Sequence, residues 1–473
     1  MSKNDIQLFS PPLNRAFCRP ELGVPQLVAW LRRKGLRAGQ KDLNAILRSE
    51  DLRRNGPWTG NPNRDYADPL KFWQPPLIED RRVWNHGAER YEITDALAAA
   101  RGTHPIYESL YKRHVRPCAR EARMAGFSLF SVAQVVPALF FCRRLREDLP
   151  GKPLVFGGPW VSASWPVLPR WAGLFDLVDY AVGFSGESPL ESLLKAGADA
   201  VPGLARRVRG RVLLTEPAAP IPLDEIPPPE FDDLDFSLYS ERALPYQTTR
   251  GCEWGRCKFC FHVMPDNQPR SKRVEKVVSE IAALVRRHKP DVVDLADLSA
   301  PLDVMRGLAK GLLRKRVKVR WNALARSSPE YTPGTAALLR RSGCEALYIG
   351  LETVNAAELR RLDKGIRLEV LERNIRTLSA AGIGVFLFIL NYPSQREEDL
   401  RQTMLFAAGY AEELKDFTAE RFQLPRWMQR RGLPFGRRDP RSWRDLNSFN
   451  VPFFAKGVPM ETFRKIENLK KAL

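Results

Sequence analysis

The sequence predicts an α/β chain of two units in series: an amino-terminal doubly wound, Rossmann-like domain, then a partial (β/α)6 TIM-like barrel with a short carboxy-terminal extension. Three observations carry this. Short apolar runs alternate with stretches of helical period along most of the 473 residues, the pattern of βα units around parallel sheets. Six prolines between positions 217 and 229 interrupt that alternation, as an extended, semi-rigid linker does. Beyond them strand candidates such as Val385-Phe-Leu-Phe-Ile-Leu390 are apolar throughout, which suits strands buried on both faces. The expected division is 1–215, a linker at 216–245, a barrel at 246–410 and an extension at 411–473.

In the first unit, Ile6-Gln-Leu-Phe9 reads as a strand stopped by Ser10-Pro11-Pro12. Val24, Leu27, Val28 and Leu31 then share one face of a helix that Gly35 ends. From about 48 to 120, Trp58, Tyr66, Trp73, Trp84 and Tyr91 alternate with Pro, Asn and Arg without a period. A surface-wrapping insertion is expected there; a cap over a ligand is the alternative. Regular structure returns with strands at 126–130, 154–158 and 177–183 and helices at 135–149 and 189–195. Their ends gather Ser128, Phe130, Ser131, Gln134, Gly157, Gly158, Gly183, Gly186 and Glu187. Ligands of doubly wound sheets bind beyond the carboxyl ends of strands, and glycine there lets a ligand approach the backbone.

The second unit carries strand candidates at 244–249, 291–295, 317–324, 346–352 and 384–390. Helices are expected at 274–287, 301–313, 335–342, 368–381 and from 397 onward. Asp297, Asn322, Arg326, Glu352 and Asn391 fall at strand ends, where a barrel places its functional groups. The tail holds Arg421, Arg426, Arg430, Arg431, Arg437 and Arg438, expected as a solvated basic surface or a guide for an acidic substrate.

The chemistry is concentrated where the first of these strands ends. Cys252, Cys257 and Cys260 are spaced C-x4-C-x2-C in one loop, while Cys18, Cys118, Cys142 and Cys344 are scattered. Soft thiolates so close select zinc or an iron–sulfur cluster. A zinc knuckle needs a fourth ligand, for which His262 stands nearby. Three thiolates on a four-iron cluster leave one iron open, as a redox catalyst requires.

Bulk composition bounds the rest. With 44% hydrophobic and 27% charged residues the chain has a soluble composition, and no run of 18 uncharged apolar residues exists to cross a membrane. Met1-Ser-Lys-Asn-Asp-Ile shows no signal pattern, and seven cysteines without a framework fit a reducing compartment, so a cytoplasmic, monomeric protein is expected. The net charge of +20 is spread without a basic block, so nucleic acid is not the expected partner.

The cysteine loop resembles that of radical S-adenosylmethionine (SAM) enzymes, whose usual spacing is C-x3-C-x2-C with an aromatic residue before the last Cys. Phe259 holds the aromatic place, and the first gap is one residue longer. Gly126-Phe-Ser-x-Phe130, Phe156-Gly-Gly158 and Gly183-Phe-Ser-Gly-Glu187, with Ser131 to Gln134 and Pro137 between them, are similar to the amino-terminal domain of cobalamin-dependent members. Phe231-Asp-Asp-Leu-Asp-Phe-Ser-Leu-Tyr239 resembles the lead-in to the cluster loop, and Lys364-Gly365 a pair found in the family. The resemblance runs from Asp5 to about Gly436.

That resemblance implies a four-iron, four-sulfur cluster (4Fe-4S) on Cys252, Cys257 and Cys260. It implies SAM held by Phe259, Asn322, Arg326, Gly350, Glu352 and Asn391, and cobalamin in the slot of Ser128, Phe130, Ser131, Gln134, Gly157, Gly158, Gly183, Gly186 and Glu187. The D-x-H-x-x-G motif that supplies a cobalt ligand is absent, as is the Gly-Gly-Glu motif for the SAM amine. The implied reaction methylates an unactivated carbon of a peptide or small molecule through a 5′-deoxyadenosyl radical and methylcobalamin. An external donor such as flavodoxin or ferredoxin would feed it electrons. A radical isomerase, cyclase or epimerase with cobalamin silent or absent is the alternative, and a tRNA-modifying enzyme a more distant one.

Overall fold

The computed structural model describes residues 3–13, 19–55, 92–260, 268–426, 442–446 and 455–469. Two parallel sheets organise it, one in each expected unit.

The first is built from β1 (Asn4–Ser10), β2 (Ala38–Asp42), β3 (Ala122–Ser128), β4 (Leu154–Gly157) and β5 (Tyr180–Val182), all parallel. β6 (Leu204–Val208) and β7 (Arg211–Leu214) extend it as an antiparallel hairpin, and the order is β2-β1-β3-β4-β5-β6-β7. The order reverses between β1 and β3, and a crevice opens at such a switch point. On one face, α1 (Gly23–Arg33) lays Val24, Val28 and Leu31 against Leu190, Leu193 and Leu194 of Glu187–Ala196.

Three elements were not expected. β2 reads Ala-Gly-Gln-Lys-Asp, a polar stretch tolerated because it is the edge strand. The β6–β7 hairpin is rich in Arg and turns through Arg209 and Gly210, both at positive φ. The aperiodic segment is not simply wrapped over the surface. It forms α-helices Ile93–Ala99, Pro105–Leu110 and Arg116–Arg120, with a π-turn over Tyr111–Val115. The wider π-turn breaks the 3.6-residue period, yet Ala96, Tyr107, Leu110 and Tyr111 are buried with Phe140 and Phe141. Trp58, Tyr66, Trp73, Trp84 and Tyr91 lie outside the described residues.

The second sheet takes β8 (Ala243–Tyr246), β9 (Val292–Leu295), β10 (Arg320–Ala325), β11 (Cys344–Glu352), β12 (Gly384–Asn391) and β13 (Leu414–Arg421), adjacent in chain order and all parallel. The barrel therefore continues past residue 410: its sixth strand, β13, lies in the stretch expected as extension. Alternate residues (Trp321, Ala323, Leu347, Ile349, Val385, Leu387) enter one core with the surrounding helices. The intervening set, including Asn322, Leu324, Tyr348, Gly350, Phe386 and Phe388, faces the barrel lumen by the two-residue period of a strand.

Residues 442–446 return to the first unit. Trp160 Nε1 donates to the Leu446 carbonyl and Trp171 Nε1 to that of Trp443, both at 2.8 Å. Arg426, expected on a basic surface, is instead buried and donates to the carbonyls of Ser442 and Asp445. Among the described residues no helix is long and apolar enough to cross a membrane.

At the end of β9, Asp297 ties the barrel mouth together. One carboxylate oxygen accepts from the amides of Thr248 and Thr249, each at 2.8 Å, and the other from the Thr248 hydroxyl at 2.5 Å. Burial pushes its pKa up to about 6 against those hydrogen bonds. The folded chain thus holds this proton more tightly than the unfolded chain, so the carboxyl's contribution to stability falls as pH rises from about 4 to 6 and is level above. Asp297→Asn keeps both amide bonds through its carbonyl and removes this titration, so thermal melts of variant and parent diverge in the variant's favour across that window. Asp297→Ala strands two buried amides and is expected to cost roughly 2–5 kcal/mol in chemical denaturation.

Candidate functional site

The cluster loop leaves β8 through Gln247, Thr248 and Thr249 and is fixed on its far side by the turn at 362–365, which follows the helix Ala356–Arg361. Lys258 N donates to the Leu362 carbonyl at 2.9 Å and Trp254 Nε1 to that of Asp363 at 2.7 Å. The long first gap, Glu253-Trp-Gly-Arg256, turns at Gly255 (φ +55°) and delivers Trp254 into a notch. Gly365 forms that notch: a Cβ there would lie 2.0 Å from the indole, and its φ of +66° favours glycine independently. Arg256 and Arg326 lie over the Trp254 ring, 3.7 and 4.7 Å from its centroid.

Lys364 sits at the centre of the loop's electrostatics. Its ammonium is 2.5 Å from Glu352, both side chains nearly buried, and lies 5.5 Å from the Phe259 ring. Gly350 makes room for this pair, because a Cβ there would stand 2.3 Å from the carboxylate and 2.4 Å from the ammonium. Glu352 itself has a φ of +68° at a register break in β11, a strained backbone held by the surrounding contacts. Burial pushes the Cys257 thiol above its ordinary pKa, while Lys364 and Arg326 pull it back down.

Cys257 is buried, and Cys252 and Cys260 are partly exposed in the same loop. Among the described residues no three potential ligands converge on a single point as one metal ion requires. A cubane presents separate iron corners to its cysteines, so it does not demand that convergence. His262 lies outside the described residues, as does Cys18. Cys142 and Cys344 are fully buried, and burial pushes both thiols up, as expected of packed cysteines.

The expected SAM residues divide. Phe259, Arg326, Gly350 and Glu352 surround Lys364. Arg326 is engaged there, donating to the Lys364 carbonyl at 2.6 Å. Asn322 is level with Ala346, four residues and so about 13 Å below Gly350 along the barrel. Asn391 shares the helix-facing side of β12 with Val385 and Ile389, is fully buried and donates to Gln395. Asp297 holds backbone amides, as described above.

Beside the loop lies a cavity of about 920 Å³ between the two sheets. Ser128, Phe130, Ser131, Gly157, Gly158, Gly186 and Glu187 line it from the first unit; Gln247, Arg250, Gly251, Ala296 and Leu298 line it from the barrel. Two expected residues do not. Gln134 is fully buried, its carbonyl accepting from the Phe130 and Ser131 amides and its amide donating to Pro11 O. Gly183 is packed under Trp165, where a Cβ would be 2.6 Å from the ring. No histidine lines the cavity among the described residues.

Arg250, two residues before Cys252, bridges the units. Its guanidinium donates to Glu187 and to Ser185, both at 2.9 Å, and its Nε to Gln247 at 3.1 Å. Neither it nor Glu187 is appreciably exposed. Sequence reasoning missed this bridge and the role of Trp254; the sole signal for the first was a charged residue between a strand end and a cysteine.

Residues 246–407 match the Radical SAM superfamily. This segment is a radical SAM domain. Along the chain, an uncharacterized methyltransferase of Pyrococcus horikoshii is 25% identical over 276 residues, covering 56% of this chain and 60% of that protein. Bacteriochlorophyllide d C-12(1)-methyltransferase of Chlorobaculum tepidum is 28% identical over 196 residues, covering 39% and 42%. The chain thus spans at most 60% of the curated relatives it matches.

Solved structures share the fold across both units. The cobalamin-dependent SAM radical enzyme OxsB, with aqua-cobalamin and SAM bound, superposes with a TM-score of 0.65 at 15% identity, over 99% of this chain and 66% of that one. The radical SAM methyltransferase TsrM from Kitasatospora setae, with cobalamin and a 4Fe-4S cluster bound, gives 0.64 at 16%, over 98% and 88%. The radical SAM domain therefore sits behind a first unit whose fold is shared with cobalamin-dependent enzymes.

Within the radical SAM domain, Lys364→Met leaves the Glu352 carboxylate buried and unpaired and is expected to cost about 3–5 kcal/mol. Adding Glu352→Gln should recover part of that loss in denaturant titrations. Gly365→Ala should expel Trp254 from its notch and lower the iron bound per chain after reconstitution.

Proposed function

We propose that this chain is a cobalamin-dependent radical SAM enzyme that methylates an unactivated carbon of a small molecule or peptide. The observation that carries the reading is the cavity that the two units share. The glycine- and serine-rich strand ends of the first sheet form one wall, and the residues leading into the cluster loop form the other.

The residues fit the groups this requires. Cys252, Cys257 and Cys260 would hold the cluster, with Lys364 and Arg326 supplying positive charge beside Cys257, whose thiol burial alone would keep protonated. Phe259, Gly350 and Glu352, gathered around Lys364, would be the contacts for SAM. The cavity would take a flat macrocycle with its hydrogen-bonding tail along Ser128, Ser131, Gly157 and Gly158, against the apolar side chains of Leu8, Leu27, Val155 and Val182. With no histidine lining it among the described residues, the macrocycle's metal would have no imidazole ligand from them. When bound, these groups supply one-electron cleavage of SAM and a transferable methyl group; the protein supplies orientation and a water-excluding enclosure. An external one-electron donor of the flavodoxin or ferredoxin class would complete the system.

The test is anaerobic reconstitution with iron, sulfide and hydroxocobalamin, followed by desalting. Bound iron near four per chain and a retained corrinoid spectrum are expected, with iron lost in a Cys252, Cys257, Cys260 triple alanine variant. With SAM and a strong reductant, both 5′-deoxyadenosine and S-adenosylhomocysteine should form. Among the relatives, an anaerobic magnesium-protoporphyrin IX monomethyl ester cyclase from Synechocystis is 23% identical over 274 residues. 5′-Deoxyadenosine without S-adenosylhomocysteine would favour that kind of ring-forming chemistry over methyl transfer.

A further inference from the structure

The barrel lumen carries a second feature that neither the cluster loop nor the shared cavity uses. Leu324 is 41% exposed although its strand is central in the sheet and its neighbours Ala323 and Ala325 are buried. It pairs with Tyr348, which pairs with Phe386 on the next strand, and Phe388 follows two residues along. The Tyr348 ring lies 4.6 Å from that of Phe386 and 6.2 Å from that of Phe388, with interplanar angles of 17° and 22°. Rings stacked at the spacing of adjacent strands turn their faces to one another, so their edges point into the lumen. All three are only partly buried.

Below this shelf, Asn322 is 9% exposed and on the same strand face as Leu324. Its amide nitrogen donates to Asp294 at 3.1 Å, and Asp294 is held in turn by Arg19 at 2.6 Å. That chain fixes the amide orientation and leaves Asn322 Oδ1 buried without a hydrogen-bond partner. A buried acceptor left unpaired costs about 1–3 kcal/mol, a cost that a ligand donor would remove. The shelf is also in reach of the cavity: Leu295 pairs with Ala323, so Ala296, which lines the cavity, and Leu324 come side by side one residue further along.

We propose that the lumen binds a planar aromatic or heteroaromatic ring bearing an N–H or O–H donor, its face over the edges of Tyr348, Phe386 and Phe388 and its donor on Asn322 Oδ1. Edge-to-face contact places the positive C–H edges of Phe386 and Phe388 against the ligand's negative π-face, which an alicyclic ring lacks. As the substrate class, this inference rests on the enzymatic reading above; as a binding site it is measured separately.

Ligand-observed NMR titrations of the full-length, anaerobically reconstituted protein test it with indole, 1-methylindole and cyclohexylmethanol. Indole should bind saturably at roughly 1 mM or tighter. 1-Methylindole, which lacks the donor, should bind about tenfold more weakly, and cyclohexylmethanol more weakly than indole. Asn322→Ala should abolish the distinction between the two indoles, and Phe386→Leu should weaken indole several-fold while leaving cyclohexylmethanol unchanged. Equal affinity for the two indoles on the parent protein, tighter binding of the alicyclic alcohol, or no saturable indole binding overturns the inference; these comparisons need no variant. A protein that discriminates the probes yet never cleaves SAM retains the site and sinks the enzymatic reading, whereas one that cleaves SAM and is blind to the probes sinks the site alone.

Discussion

The buried fork of Arg250 on Glu187 and Ser185 decides how the two sheets of this chain face one another. A pair so thoroughly withdrawn from water is a poor source of net stability, because the lost hydration of both ions roughly cancels their attraction. Breaking one side of it is expensive, and that asymmetry is what confers geometry. The guanidinium is planar and offers directed donors, so it sets an orientation that a lysine could not. It lies two residues before Cys252 and on the wall of the shared cavity. The loop in the barrel and the strand ends of the first unit are consequently placed by the same side chain. Glu187 is paired with Arg250 in this role, which makes it a structural member of the cavity wall more than a free acceptor for a ligand.

A second set of contacts holds the loop at its entrance and across the barrel mouth. Asp297 grips the residues entering it, and the turn at 362–365 grips it from across the mouth through Leu362, Asp363 and the notch at Gly365. The extra residue in the first cysteine gap is absorbed in this second attachment. Trp254 converts what would be slack into a rigid contact, its ring enclosed by glycine backbone on one side and guanidinium groups over its faces. Lys364 then serves two partners, balancing Glu352 and lying beside Cys257, so the loop's position and its charge are set together.

The parts of this arrangement visible in the sequence are those with a period or a spacing. β12 is apolar at nearly every position because one face packs under the helices and the other lines the lumen with aromatic rings, and the cysteine trio announces itself by proximity. β2 was invisible because an edge strand of Ala-Gly-Gln-Lys-Asp has no buried stripe to display. The helices from Pro105 to Arg120 were obscured by the π-turn between them, which rotates the apolar face out of register, and Ile93–Ala99 is too short to show a period. β13 was overlooked because Lys415, Asp416 and Glu420 give it a polar cast, although Phe417 and Ala419 are buried toward the helices. Gln134 and Gly183 were read by their place in a motif, whereas capping and packing account for them. Arg250 and Trp254 act through tertiary partners more than 60 residues away, and no local pattern encodes such a partner.

The placement of cavity and lumen explains why a two-unit chain is needed at all. A barrel alone would open its mouth to water on the side where β8 and β9 end, and Ala296 and Leu298 would stand exposed there. Covering that side with the first unit turns the strand ends into an interior wall. Tail residues reinforce the closure: Trp160 and Trp171 are stacked and each bonded to a carbonyl of 442–446, while Arg426 holds the same segment from the barrel side. The lumen residue Leu324, beside Ala296, therefore has the cavity on one flank. Low dielectric strengthens every fixed dipole in such a space and keeps solvent away from whatever forms there. The ion pairs at Arg250 and Lys364 are the points at which that wall is tied to the loop.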